Sequence, residues 1–160
     1  PRDRPRAARA PPDLNAVGEY TGAEGVRRFN EEAPWGRFPS MIGLEMLEVE
    51  RNRVRGRLET TNELIAGTGY LWAPVIVGLA DALCAAGTGV NLVEGATFTT
   101  VELKTNFLGS ARPGEVVVGE AVPAHVGRTT HVWDVTVTNE ATGRTIALQR
   151  CTQMVLYPSG

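Results

Sequence analysis

One stretch of this sequence constrains everything around it. From Pro74 to Gly87 the chain reads as a helix, with Val75, Leu79, Ala82, Leu83 and Ala86 on one stripe at i, i+4, i+7, i+8 and i+11. Proline at a first helical position and glycine just past the end punctuate it. Such a helix is apolar over most of its surface, so a sheet has to wrap it. The sequence supplies one. Thr97–Leu108, Glu115–Val126, Thr129–Asn139 and Arg144–Tyr157 are four long β-prone segments, separated by turn residues such as Ala111-Arg112-Pro113-Gly114 and Gly127-Arg128. In the third, Trp133, Val135 and Val137 alternate with Asp134, Thr136 and Thr138, the pattern of a half-buried antiparallel strand. Two further strands, Ile42–Glu50 and Arg53–Thr60, precede the helix. Before them Val26, Phe29 and Ala33 give a short amphipathic helix over Gly22–Ala33, which Pro34 stops. The expected class is α+β: a curved antiparallel sheet wrapped around one long central helix, with a short N-terminal helix.

At 160 residues and 42% hydrophobic content, the chain has material for one core and too little for two. We expect a single domain over residues 22–160, preceded by a poorly ordered tail at 1–21 that opens rich in Pro, Arg and Ala. A net charge of −2 provides no global basic field, which argues against nucleic acid and anionic membrane surfaces as partners. Lys104 is the only lysine. The arginine row Arg51, Arg53, Arg55 and Arg57 reads as a solvated strand face. Cys84 and Cys151 lack metal-ligand spacing and read as buried free thiols in a reducing compartment. No apolar run reaches transmembrane length, and the arginines near the start have no apolar segment behind them to make a secretory signal. The expectation is a cytoplasmic protein with no metal and no cofactor.

Asp81 stands out. It is the only charged side chain between Glu63 and Glu94. Aspartate is a poor residue for a helix interior, and an ionised carboxylate among apolar neighbours is costly unless paired. Val77, Gly78 and Ala85, its helical neighbours, leave space above it. A carboxylate in that setting has a raised pKa and suits general-base or nucleophilic work. The bland alternative is a solvent-facing or backbone-bonded aspartate. At the helix start, Pro74 has no N–H, which leaves the Ala73 N–H as the better-placed donor for a developing oxyanion. Spacing alone favours an ordinary helix cap there.

The run Gly69-Tyr70-Leu71-Trp72-Ala73-Pro74, followed by Leu79-Ala80-Asp81, resembles the hot-dog-fold acyl-CoA thioesterases of the phenylacetic-acid-degradation and 4-hydroxybenzoyl-CoA type. Downstream, Val101 to Leu108, Ala111 to Gly114 and Gly127-Arg128-Thr129 resemble that family's third-strand and turn motifs. The resemblance implies hydrolysis of an acyl-CoA thioester to a carboxylate and CoA. It places the general base or nucleophile at Asp81 and the carbonyl-polarising N–H at Ala73. Substrate contacts then fall on Ala66, Tyr70, Trp72, Ala85, Asn106 and Arg128. It also implies a homodimer or homotetramer with sites shared between subunits, and CoA as part of the substrate. Three positions depart from the pattern. Trp72 stands where the family has histidine, Ala66 where it has Asn or Gln, and Ala85 where one branch has a hydroxyl.

Those departures keep two other readings open: a non-catalytic acyl-CoA or small-ligand binder, and a hot-dog enzyme with altered chemistry. No histidine follows Asp81 before His125, unlike the Asp-then-His pattern of hot-dog hydratases, and no Gly-x-Ser-x-Gly, phosphate loop or metal-ligand cluster occurs. His131 reads as an exposed strand residue and Trp133 as core.

Overall fold

The computed structural model describes residues 20–32 and 36–158. Helix α1 (Gly22–Glu32) and the short α2 (Phe38–Met41) precede strands β1 (Glu45–Glu50) and β2 (Arg53–Glu59). A single turn of 3-10 helix at Asn62–Leu64 leads to the long helix α3 (Ala73–Gly89), and β3 (Thr97–Phe107), β4 (Val116–Val126), β5 (Thr130–Asn139) and β6 (Thr145–Leu156) follow. The six strands form one antiparallel sheet in the order β1-β2-β4-β5-β6-β3. Helix α3 touches all six. This is the expected α+β hot-dog architecture. Irregularities in register at Met46/Glu48, Thr100/Glu102 and Pro123/His125 supply the bends that curl a sheet around a helix.

The core is the contact between α3 and the sheet's inner face. Val75, Ile76, Leu79, Ala80, Leu83, Cys84 and Ala86 are buried on α3 against Val54, Leu58, Val117, Ala121, Trp133, Val135, Val137 and Ile146. Arg53 and Arg55 pair with Glu120, and Arg57 with Glu45, so these three arginines of the row form an ion-paired outer strand face, while Arg51 lies in the turn before β2. Both cysteines are buried and free. Among the described residues, no helix is long and apolar enough to cross a membrane.

Several expectations are corrected. The first strand begins at Glu45, because Phe38–Met41 is helical and Ile42 closes that helix. Gly87 does not end α3, which runs on to Gly89. Gly87 serves packing: a Cβ there would stand 2.5 Å from the Trp133 ring. The next residue, Thr88, accepts a hydrogen bond from Trp133 Nε1 at 2.9 Å. His131 is buried, not exposed. The alternation that places Trp133, Val135 and Val137 inside has the same phase at His131. Most of the tail assigned to residues 1–21, together with Ala33 and Pro34, lies outside the described residues; Tyr20 packs edge-on against Phe29.

Candidate active site

Asp81 sits midway along α3 with its carboxylate at the wall of an apolar cavity of about 170 Å³. Gly78, Ala82 and Ala85 form the helical floor, and Phe29, Phe38, Leu44 and Met46 close the other sides. The three small helical residues leave room beside the carboxylate. Phe38 then takes up the space over Gly78, where a Cβ would lie 2.6 Å from its ring.

Two donors reach the carboxylate, and both choose the same oxygen. The Thr100 hydroxyl donates to Oδ1 at 3.2 Å and the Cys151 thiol donates to it at 3.8 Å. No cation pairs with Asp81 among the described residues. Burial raises its pKa above the ordinary 3.8, against the lowering effect of these two donors. Among the described residues no donor reaches Oδ2. The shift in register at Thr100/Glu102 beside it fits the use of bulges to re-aim a side chain. Cys84 and Cys151 are near neighbours of the carboxylate. Burial, reinforced by Cys151, pushes the Cys84 thiol well above its ordinary range, so Cys84 stays protonated and unreactive.

The helix start is built by the preceding loop. Ile65 bridges Leu71, Trp72 N–H donates to the Leu64 carbonyl, and Leu71 N–H donates to the Ala111 carbonyl. Gly69 turns this loop with a φ of +83°, a conformation glycine adopts without strain. Trp72 is the N-cap and makes no side-chain cap. The Ala73 N–H finds no acceptor among the described residues, so it is a free donor at the positive end of a seventeen-residue helix.

One chain does not bring these two groups together. Eight residues of helix separate Ala73 from Asp81, a rise of about 12 Å. A shared carbonyl, with contacts of about 3 Å to each partner, falls short of that span. The other candidates divide likewise. Ala85 lines the Asp81 cavity. Tyr70 lines a separate polar cleft with Arg112 and Arg144, and Arg112 lies over its ring at 5.7 Å. Ala66 is half-buried in the loop, and Trp72 is 58% exposed at the helix start. Asn106 is exposed on β3, six residues and about 20 Å beyond Thr100. Arg128 is exposed in the β4–β5 turn, and its carbonyl accepts a hydrogen bond from the Tyr157 hydroxyl.

Sequence reading missed Thr100, Cys151 and the Phe38 wall. Part of the signal was there: the inward phase of β6 runs Ala147, Gln149, Cys151, Gln153, Val155, and its two glutamines are out of place on an apolar face. Nothing local marked Phe38, whose role depends on α2 folding back over Gly78.

The thioesterase superfamily model matches residues 68–146, which span the helix start, Asp81 and Thr100. The 1,4-dihydroxy-2-naphthoyl-CoA hydrolase of Listeria monocytogenes is 31% identical over 111 residues, covering 69% of this chain and 89% of that protein. A thioesterase from Haemophilus influenzae superposes with a TM-score of 0.75 at 22% identity, over 82% of this chain and 90% of that one. A Streptococcus mutans structure bound to acetyl-CoA superposes with a TM-score of 0.64 at 26% identity, over 73% and 91%. The resemblance carried by the helix-start and Leu-Ala-Asp motifs is borne out, and the chain belongs to the thioesterase superfamily as a thioester hydrolase of the hot-dog fold.

Proposed function

We propose that the chain hydrolyses an acyl-CoA thioester, with Asp81 acting through Oδ2 as general base or nucleophile. The observation that carries this reading is the state of that carboxylate. It is half-buried, lacks a cation among the described residues, is held by two donors on one oxygen, and opens onto an apolar cavity. Such a group is less stabilised as a charge than a surface aspartate, which raises its basicity. The cavity's Phe, Leu, Met and Ala lining suits an apolar acyl group, with the polar CoA portion directed outward. The naphthoyl-CoA in the name of one similar protein and the acetyl-CoA bound in the structure of another support CoA as the thiol.

The carbonyl-polarising donor is Ala73 of a second copy. The axial separation within one helix argues for this, and so does the sheet. Strand β3 is an edge strand with Val101, Leu103 and Phe107 exposed on it, and an unpaired apolar edge is a template for a second strand. A dimer that brings two α3 helices antiparallel would set Ala73 of one against Asp81 of the other.

Ala66 and Trp72 favour a second reading, a binder with little turnover, because neither position supplies the small polar group that would orient water or the carbonyl. A thiol-release assay over a panel of acyl-CoAs, with binding measured on the same panel, separates the two. Turnover abolished by Asp81→Asn supports hydrolysis. Tight binding without turnover replaces it with the binder.

A further inference from the structure

Behind Thr100 lies a second layer that the proposed chemistry does not touch. Gln153 is fully buried on β6, in register with Thr100 on one side and His131 on the other. Its Nε2 donates to the Thr100 hydroxyl oxygen at 3.4 Å, while its Oε1 has no partner among the described residues. Burying an amide on the inner face of a sheet costs stability unless its bonds are made, so a glutamine half-satisfied here calls for an explanation.

The explanation comes from the hydroxyl's own arithmetic. Thr100 has one proton to give and lone pairs that can accept. An ionised Asp81 only accepts, so the proton must go to Oδ1, which leaves the lone pairs for a donor. Of the two ends of the Gln153 amide, only Nε2 is a donor. His131 Nδ1, on the residue opposite in register, is likewise buried and without a partner among the described residues, so it does not hold the far end of the amide. With the amide reversed, Oε1 would take the Thr100 proton away from Asp81. The direction of the Thr100 proton is therefore set by which way the Gln153 amide faces.

We propose that Gln153 is a positioning residue that commits the Thr100 proton to Asp81 Oδ1, keeping Oδ2 free for the reaction. It touches neither the carboxylate nor the cavity, and acts only through Thr100. The proposal builds on the reading of Asp81 as the reacting group, but its test does not need turnover. The carboxyl ¹³C signal of Asp81 is titrated in the parent, in Thr100→Val, in Gln153→Leu and in the double variant. The titratable side chains facing Asp81 among the described residues are the thiols of Cys84 on α3 and Cys151 on β6. From β3, α1 and the 36–46 segment only uncharged groups face it.

Loss of a donor to the charged form should move the Asp81 midpoint upward in Thr100→Val, by a smaller step in Gln153→Leu, and no further in the double variant. Where thioester turnover is measurable, kcat should fall about tenfold in Thr100→Val and about threefold in Gln153→Leu with KM unchanged, and the second loss should vanish in the Thr100→Val background. Gln153→Met serves as the second variant if Gln153→Leu does not fold. A midpoint that drops in Gln153→Leu means the amide was taking the Thr100 proton, which overturns the proposal. So does a Gln153 effect of full size in the Thr100→Val background, since it would be structural. Absence of turnover with the midpoint pattern intact would sink the hydrolase reading and leave this inference standing.

Discussion

Replacing Asp81 with asparagine should make the protein more stable and much less active at once. Asparagine keeps Oδ1, so Thr100 and Cys151 retain their acceptor at the distances now seen, 3.2 and 3.8 Å. What disappears is the cost of holding a charge at the edge of an apolar cavity with no cation beside it. Because the carboxylate keeps part of its hydration, the relief is about 1 kcal/mol, a rise in Tm of roughly 2–4 °C for a domain of this size. The sign of the pH dependence follows from burial. Asp81 has a folded pKa raised above 3.8, so the folded state binds the proton more tightly than the unfolded chain. Parent stability from this group is full below 3.8 and is lost as pH rises through the folded value. The advantage of Asp81→Asn should therefore be complete at neutral pH and close as pH falls towards 4. Thermal unfolding of both proteins across that range, with thioester turnover at neutral pH, is the assay. Turnover should drop by about a hundredfold or more. A variant less stable than the parent at neutral pH, or a stability gap that does not close in acid, would show that Asp81 is a structural partner.

Three other outcomes follow from the geometry. Ala73→Pro deletes one N–H at the first helical position, where proline fits and where Trp72 already has the extended conformation a following proline requires; circular dichroism should be unchanged and kcat should fall about a hundredfold. Gly87→Ala places a Cβ 2.5 Å from the fully buried Trp133 ring, and denaturant unfolding should show a loss of roughly 1–3 kcal/mol despite alanine's better helix propensity. Restoring polarity with Ala66→Asn and Trp72→His together should raise turnover by more than the two single changes combined, because both groups act on one transition state; a double variant that folds, binds acyl-CoA and is no faster would favour the binder.

The fold was legible because its two determinants are local. The apolar span of α3 and the alternation in β5 each announce their own burial, and together they leave a wrapped helix as the way to cover both. Asp81 was legible for the same reason, as a lone charge in an apolar run. Its surroundings were not. Thr100 and Cys151 approach it from strands nineteen and seventy residues away, and their aim depends on strand register and on an irregularity in β3. Phe38 reaches the cavity because a four-residue helix folds over Gly78, and no periodicity can be read in so short an element. His131 was misread by treating it singly, when the phase of its strand already placed it inside. Tyr70 and Trp72 lie at the start of α3, far along the axis from Asp81, a separation that a linear motif conceals.

The central claim is that Asp81 and Ala73 act on one carbonyl from two copies of the chain. It is tested most directly by pairing two disabled proteins. Asp81→Asn and Ala73→Pro, carrying different tags, are co-expressed, and the mixed dimer is isolated through both tags. In a shared site each copy supplies one group. The mixed dimer then holds one site with both groups intact and one with neither, and should recover about half the parent's thioesterase activity. A mixed dimer as inactive as its two parents, or a chain that remains monomeric while active, would contradict the account.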